Sequence, residues 1–415
     1  MMPAWIAGVG MTVFGRHLAT SLEDLAREAL DAALRDAGAE RSQVQAAYYS
    51  GVTASVLTGQ TAIPGQVVCG GIGLPHIPVI NVENASASGT SAFNLAVQAV
   101  GAGAADVVLA IGAEKMNVAD KGRALQLFEG GWDVSTVAEN EATLLALGEG
   151  VDPPDGSESP RPYSRFMAIY AAVCRHHMKT YGMTQRQLAA VSAKNHGHSV
   201  HNPLAQYRQA LSVEAVLAAP PITFPLTMPM CSPVSDGAAA VIVANEVGLR
   251  RLSGQRRRSI KVAASTLRTA GPRSREPILD STCRRAGQAA YEAAGIGPEV
   301  IDVAEVHDAT AMGEVAVVEK LGFVAQGDGG PAAERGEFTI GGRLPINPSG
   351  GLESKGHPIG ATGLGQLHEL VTQLRGEAGA RQVEGARIAM QENGGGLIGV
   401  DEAVVAVTVL ERERG

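Results

Sequence analysis

Apolar positions along the chain follow two periods that take turns. Short runs rich in Val, Ile and Ala, such as Trp5-Ile6-Ala7-Gly8-Val9-Gly10 and Val107-Val108-Leu109-Ala110-Ile111, read as buried strands. Between them, Leu22, Leu25, Ala26, Ala29, Leu30, Ala33 and Leu34 recur every three or four residues, which predicts one apolar helix face. Ser21 with Asp24 opens that helix in the manner of a capping box, Asp replacing the preferred Glu or Gln, and Gly38 closes it. Thr90 to Val100, Tyr170 to Tyr181 and Gln185 to Asn195 carry the same helical period. Strands alternating with helices predict an α/β fold whose parallel sheets are covered on both faces.

The pattern occurs twice. Ala29-Leu-Asp-Ala-Ala-Leu-Arg-Asp-Ala-Gly38 aligns with Ala286-Gly-Gln-Ala-Ala-Tyr-Glu-Ala-Ala-Gly295, and a β-branched residue follows each glycine at the same interval (Val44, Ile301). The period is far too long for a solenoid. It predicts two similar lobes whose loops meet at a shared site. The expected division is a first lobe over 1–117 with 229–249, an insertion over 118–228, and a second lobe over 259–415. Pro153-Pro154 and Pro220-Pro221 mark loops in the insertion, whose size fits a substrate lid. The linker, Leu249 to Ser259, holds Arg250, Arg251, Arg256, Arg257 and Arg258 and reads as a solvated connector.

Composition narrows the partners. The 415 residues carry a net charge of −8, the wrong sign for a chain whose main partner is nucleic acid. No apolar run is long enough to span a membrane, and Met1 to Arg16 lacks the basic start of a signal peptide. Cys69, Cys174, Cys231 and Cys283 lie far apart with no CxxC pair, a pattern of reduced thiols rather than of disulfides or zinc. The expectation is a cytoplasmic enzyme.

Several familiar signatures are absent. After Gly8-Val9-Gly10 the next glycine is Gly15, too late for a dinucleotide fingerprint, and Asn84-Ala85-Ser86-Ala87-Ser88 is not a GxSxG elbow. His196, His198 and His201 form HxHxxH without a nearby carboxylate and read as surface histidines in a polar loop, so no metal is expected. Four segments remain. Asn81 to Ser91 turns from a strand into a helix and sets Ser86 beside N-terminal backbone N–H groups; its alternative is a plain N-cap serine. Gly356-His357-Pro358-Ile-Gly360-Ala-Thr-Gly363 again leads a loop into a helix, with His357 as a candidate general base. Gln391-Glu392-Asn393-Gly394-Gly395-Gly396 follows an apolar strand and is expected to expose backbone donors. His307-Asp308 follows the apolar stretch Ile301 to Val306.

These segments resemble the thiolase superfamily, in particular the sterol-carrier-protein type of thiolase and its bacterial acetyl-CoA acetyltransferase-like relatives. The similarity runs the length of the chain, from Ala7-Gly-Val-Gly-Met-Thr-Val-Phe-Gly15 through Ser235-Asp-Gly-Ala-Ala-Ala240 to the GHP motif at His357. His307-Asp308-Ala-Thr matches the HD-type motif of that branch. The resemblance implies two αβαβα lobes with a lid, coenzyme A and its thioesters as substrates with no bound cofactor, and a homodimer or higher homo-oligomer. It also implies a separate small zinc-ribbon and OB-fold partner subunit. Ser86 stands where the family has its nucleophilic cysteine. Glu392 stands at the second, acid/base cysteine, with Asn393 the neighbouring alternative.

Carried over, those positions imply that residue 86 attacks a 3-oxoacyl-CoA while His357 takes its proton. His307 holds the thioester oxygen, Glu392 protonates the departing enolate, and the N–H groups of Ser86 and Gly394 form the oxyanion hole with His307. Because a hydroxyl is hardly ionised at neutral pH, the serine is read as an inactivating substitution for cysteine. The alternatives are a natively serine-containing, quiet acyl-CoA-binding subunit and a retro-aldol acyl-CoA lyase on the same fold. The lyase branch is expected to carry tyrosines where His357 and His307 stand. A carrier-protein ketosynthase is a further option, but its expected lysine is not identifiable.

Overall fold

The computed structural model describes residues 2–118, 128–253, 255–271 and 281–413. Its strands are β1 (Trp5–Met11), β2 (Ala46–Ser50), β3 (Val79–Val82), β4 (Val107–Glu114), β5 (Pro221–Thr223), β6 (Leu226–Thr227), β7 (Gly237–Ala244), β8 (Ile260–Thr269), β9 (Val303–Glu305), β10 (Ile388–Ile398) and β11 (Asp401–Glu411). Apart from the β5–β6 ribbon they form one sheet in the order β3-β2-β4-β7-β1-β8-β11-β10-β9. The halves join where β1 meets β8, through Trp5 opposite Lys261 and Ile6 opposite Ile260. Outward from that join the order repeats: β1, β7, β4, β2, β3 on one side and β8, β11, β10, β9 on the other. A parallel bridge from Ala304 to Ile346 occupies the fifth place of the second half.

The expected all-parallel sheets are in fact mixed. β2 is parallel to β3 and β4, and β9 to β10, but β7 runs antiparallel to both its neighbours, as does β11. The cause in the second half is the two-residue turn Gly399-Val400, which can only return the chain antiparallel; a parallel return needs a crossover.

The internal repeat is a repeat of helix chemistry. Ser21 Oγ accepts from Asp24 N–H at the start of helix Leu22–Ala37, which ends at Gly38 with φ 60°. Ser281 Oγ accepts from Arg284 N–H before helix Thr282–Ala294, which ends at Gly295 with φ 69°. A side chain at either cap glycine would be strained by that left-handed backbone. Alternation along the strands then sorts the layers. In β4, Val107, Leu109 and Ile111 pack with the outer helix residues Leu25 and Leu30. Val108 and Ala110 pack with Phe93 and Leu364 of the central helices Ser88–Gly101 and Thr362–Arg375. Strands of the second half face the same central helices with Ala389 and Leu410, and face the other outer layer with Met390 and Val409. The result is the layering αβαβα.

After β4 the chain makes a long excursion before it returns as β7, through helices Val137–Leu145, Arg165–Tyr181 and Gln185–Ser199. The second begins five residues before the apolar period does, because Ser164 caps it by accepting from Phe166 N–H. The third carries His196 and His198 within its last turn. Both are buried, not the surface loop residues expected. His198 bonds the Asn347 carbonyl at 3.0 Å and accepts from Ile340 N–H at 3.2 Å. Among the described residues no group of His, Cys, Asp and Glu could hold a metal ion, and no helix is long and apolar enough to cross a membrane. Residues 119–127 of the insertion and Gly254 of the linker lie outside the described residues. The linker is less free than its arginine run suggests. Arg258 pairs with Asp36 and Glu377 at 3.0 and 2.9 Å, tying it to helix ends of both halves.

Candidate active site

Four segments converge on one cavity of about 1170 Å³ lined by Ser86, His307, His357 and Gly394. Phe128, Phe166, Met167 and Ile169 of the insertion form part of its apolar wall.

Ser86 sits in the tight turn after β3, two residues before helix Ser88–Gly101 begins. Ala85 adopts φ 46°, a left-handed conformation that costs a residue with a Cβ about 1 kcal/mol or more. Ser88 Oγ holds the turn from inside: it donates to Ala85 O at 2.6 Å and accepts from Asn84 N–H at 2.8 Å. Ser88, not Ser86, is therefore the serine bonded within the turn. Ser86 Oγ is left to face His357 Nε2 at 3.2 Å.

His357 comes from the other half, and a clamp explains how it arrives. Gly360, three residues on, donates its N–H to buried Glu114 at 3.0 Å, and its carbonyl accepts from Ser50 Oγ at 2.7 Å. Glu114 also accepts from Val52 N–H, Thr53 Oγ1 and Ala54 N–H, so one carboxylate fastens the histidine loop to the first half. On the other side, Ser235 Oγ accepts from His357 N–H at 2.9 Å and donates to Gln206 at 2.6 Å. His357 Nδ1 lies 2.7 Å from Thr362 Oγ1, whose own hydrogen goes to Pro358 O at 3.0 Å. Burial, then the neighbouring His307 and Lys355, hold the ring well below the usual histidine range, so it is neutral.

The His307 ring packs 5.3 Å from that of His357. Its Nε2 is buried without a hydrogen-bond partner in the structure. Burial depresses the ring to about 4, against a weaker opposing hydrogen bond that the ring donates to the Gly394 carbonyl. Its neighbour Asp308 does not enter the cavity. Asp308 accepts from Leu352 N–H at 2.8 Å and Asn195 Nδ2 at 3.1 Å, stapling the His307 loop to the turn that leads into His357.

The glycine segment departs from expectation. Gln391 to Gly396 lies inside β10 and is not a loop after it, because β11 pairs with β10 from Ile388 to Ile398, passing over Gly396. Pleating therefore sends its side chains to opposite faces. Asn393 points to the central helices and accepts from Thr90 Oγ1 at 2.9 Å. Gly395 shares that face, and a Cβ there would lie 2.2 Å from Asn84 O and 2.7 Å from Ala87 N, so only glycine lets β10 abut the Ser86 turn. Glu392 is fully buried and absent from the cavity wall; its Oε2 accepts from His307 N–H at 3.0 Å. Burial, and then the charge of Glu402, push its carboxyl up to about 8.

Sequence reading thus brought Ser86, His307, His357 and Gly394 to one cavity, with Glu392 and Asn393 beside it. It missed Thr362, Ser235, Glu114 and the cavity-wall pair Lys320 and Glu402. Thr362 and Ser235 lay within motifs already singled out; Glu114, Lys320 and Glu402 carried no local signal.

Comparison with known proteins matches residues 4–214 to the thiolase N-terminal domain and residues 264–409 to the thiolase C-terminal domain-like family. The chain belongs to the thiolase family. This thiolase is 38% identical to an acetyl-CoA acetyltransferase of Methanothermobacter thermautotrophicus over 95% of the chain and 96% of that relative. It is 37% identical to rat sterol carrier protein 2, over 94% of the chain and 69% of the relative. It is also 34% identical to the benzoylsuccinyl-CoA thiolase subunit BbsB of Thauera aromatica, over 94% of each. A solved structure titled Ltp2-ChsH2(DUF35) aldolase matches the fold with a TM-score of 0.77 at 24% identity, covering 99% of this thiolase and 98% of that chain. By family it is a thiolase-type acyltransferase.

Proposed function

We propose that this thiolase handles 3-oxoacyl-CoA substrates at position 86, cleaving them with coenzyme A or running the condensation in reverse. The observation that carries the reading is the 3.2 Å approach of Ser86 Oγ to a neutral His357 Nε2 on a cavity large enough for a sizeable acyl group. Residue 86 attacks the 3-oxo carbon as its proton passes to His357. The C2–C3 bond breaks, and its electrons move onto the thioester oxygen, which His307 faces. The Ser86 and Gly394 N–H groups stabilise the oxyanion of the acyl steps.

In this chain the step is slow. Behind His357 stands the neutral Thr362 hydroxyl, not a carboxylate that would stabilise the imidazolium formed when a hydroxyl is deprotonated. The serine is thus the inactivating member, and Ser86→Cys supplies the missing thiol. The test is thiolytic cleavage of a panel of 3-oxoacyl-CoAs by Ser86→Cys. Cleavage of none would overturn the reading.

One observation favours a second reading. A neutral His357 beside an un-ionised hydroxyl suits removal of the proton from a 3-hydroxyl, as in retro-aldol cleavage, which needs no covalent intermediate. Release of a carbonyl product from a 3-hydroxyacyl-CoA by the serine protein, without free coenzyme A, would establish it. In either reading we infer a homodimer through β3, the outermost strand, where Ile80 is 50% exposed and the adjacent Ile63 59%. A monomeric mass in solution would exclude that assembly.

A further inference from the structure

This inference rests on the reading that the cavity receives a coenzyme A thioester. We propose that Glu402, held by Lys320, is the catalytic acid/base at the thioester's α-carbon, and that Glu392 is a positioning residue.

Glu402 lies at the start of β11, just past the turn from β10, and its carboxylate folds back over the glycine segment. Its Oε1 lies 2.3 Å from the point a Cβ at Gly394 would occupy, and His307 Nδ1 lies 3.3 Å from the same point. Glycine at 394 is therefore what allows a carboxylate and an imidazole to converge on one spot of the wall. Oε2 of Glu402 lies 3.3 Å from Lys320 Nζ, and the two side chains keep 22% and 21% exposure on the cavity surface. The neighbouring groups are otherwise engaged. Asp401 accepts from the Thr282 N–H and hydroxyl, and Glu392, wholly buried, accepts from His307 N–H. Tyr170 also lines the cavity, but burial and the charge of Glu402 push its phenol up and keep it neutral, unfit as a base.

The step balances within the site. The Cα–H bond of the thioester breaks and the proton joins a Glu402 oxygen, while the C–H electron pair becomes the enolate whose oxygen faces His307. In either cleavage reading the enolate instead takes the electrons of the broken C2–C3 bond, and a proton already on Glu402 passes to the α-carbon to release the acyl-CoA. Glu392 acts one bond away, by fixing the His307 backbone.

The experiment is exchange of the α-hydrogens of acetyl-CoA for deuterium in heavy water, followed by NMR on the protein as it stands, because exchange needs no nucleophile at 86. Glu402→Gln should lower the rate about 100-fold or more, with acetyl-CoA binding and the melting temperature retained. Glu402→Asp, which keeps the charge but withdraws it from Gly394, should fall between, and Glu392→Gln should change the rate less than about 10-fold. Exchange at the native rate in Glu402→Gln, or its loss in Glu392→Gln alone, would overturn the assignment. Absence of exchange in the unsubstituted protein would overturn it too. If that protein still binds acetyl-CoA, the acyl-CoA reading survives on its own, and if it binds none, both fall.

Discussion

His357 Nδ1 and the Thr362 hydroxyl stand 2.7 Å apart, and that contact decides which ring nitrogen is the base. A hydroxyl has one hydrogen, and that of Thr362 goes to the Pro358 carbonyl. The hydroxyl can then only accept from Nδ1, so the ring proton sits there and the lone pair of Nε2 faces Ser86. A general base needs that tautomer.

Thr362→Val removes the acceptor while keeping the shape, so the Nδ1 proton loses its partner and the tautomers come closer to balance. In the Ser86→Cys protein, kcat/KM should fall about 10- to 100-fold, the scale of an outer partner of a functional histidine. Thr362→Ser should recover most of it. Unchanged kinetics in the valine variant would mean that the hydroxyl does not set the tautomer.

Position 86 gives a larger effect. Ser86→Cys should raise thiolytic turnover by several orders of magnitude, because a thiol is partly ionised near neutral pH and a hydroxyl is not. His357→Ala in that background should then cost about 10²- to 10⁴-fold. Because the His357 ring is held well below its usual range, kcat/KM of Ser86→Cys should show no histidine limb near pH 6.5 as the pH falls. A limb there that disappears in His357→Ala would show the ring titrating normally.

How much of this the sequence could give depends on range. Both outer helices were readable because cap, period and closing glycine all lie within one segment, as at Ser21, Asp24 and Gly38. The antiparallel direction of β7 was not, since it is set by the path of a long insertion. The same distinction divides the site. Ser86 and His357 each announce themselves in a glycine-bounded turn, but Glu114 fastens a loop far away in sequence and Glu402 is held by the distant Lys320. Burial, too, was misread: His198 looks like a surface residue until Asn347 and Ile340 are brought beside it, and His196 until Ser354 is. Glu392 was placed next to the right histidine, yet although pleating of β10 sets it on the face of Gly394, its carboxyl turns to the His307 backbone and stays out of the cavity wall.

Gly395 tests that pleating directly. A methyl group there would lie 2.2 Å from Asn84 O and 2.7 Å from Ala87 N, both backbone atoms of the turn that presents Ser86. Neither can rotate away, so Gly395→Ala should destabilise the fold by about 1–3 kcal/mol. In the Ser86→Cys background it should also depress kcat more than KM, because the displaced atoms carry the nucleophile. A destabilised protein with native kcat would mean that strain is absorbed in β10 rather than in the turn.

Glu392 carries a signature in stability. Its carboxyl is pushed from an ordinary 4.5 up to about 8, by burial first and by the Glu402 charge second, with the His307 N–H and Lys320 opposing. The folded value exceeds the unfolded one, so between these limits the folded protein binds a proton that the unfolded chain has lost. This contribution to stability is complete below about pH 4.5, declines as pH rises, and levels off above about pH 8. Glu392→Gln keeps the shape and cannot titrate. The unfolding free energy of the glutamine variant relative to the native protein should therefore increase between pH 5 and 8, by roughly 3–5 kcal/mol at most, and stay constant beyond. Denaturant unfolding of both proteins at pH 5, 6.5, 8 and 9 measures it. A difference independent of pH would show that the carboxyl titrates alike in both states, and would return Glu392 to the solvent-reached acids from which its burial separates it.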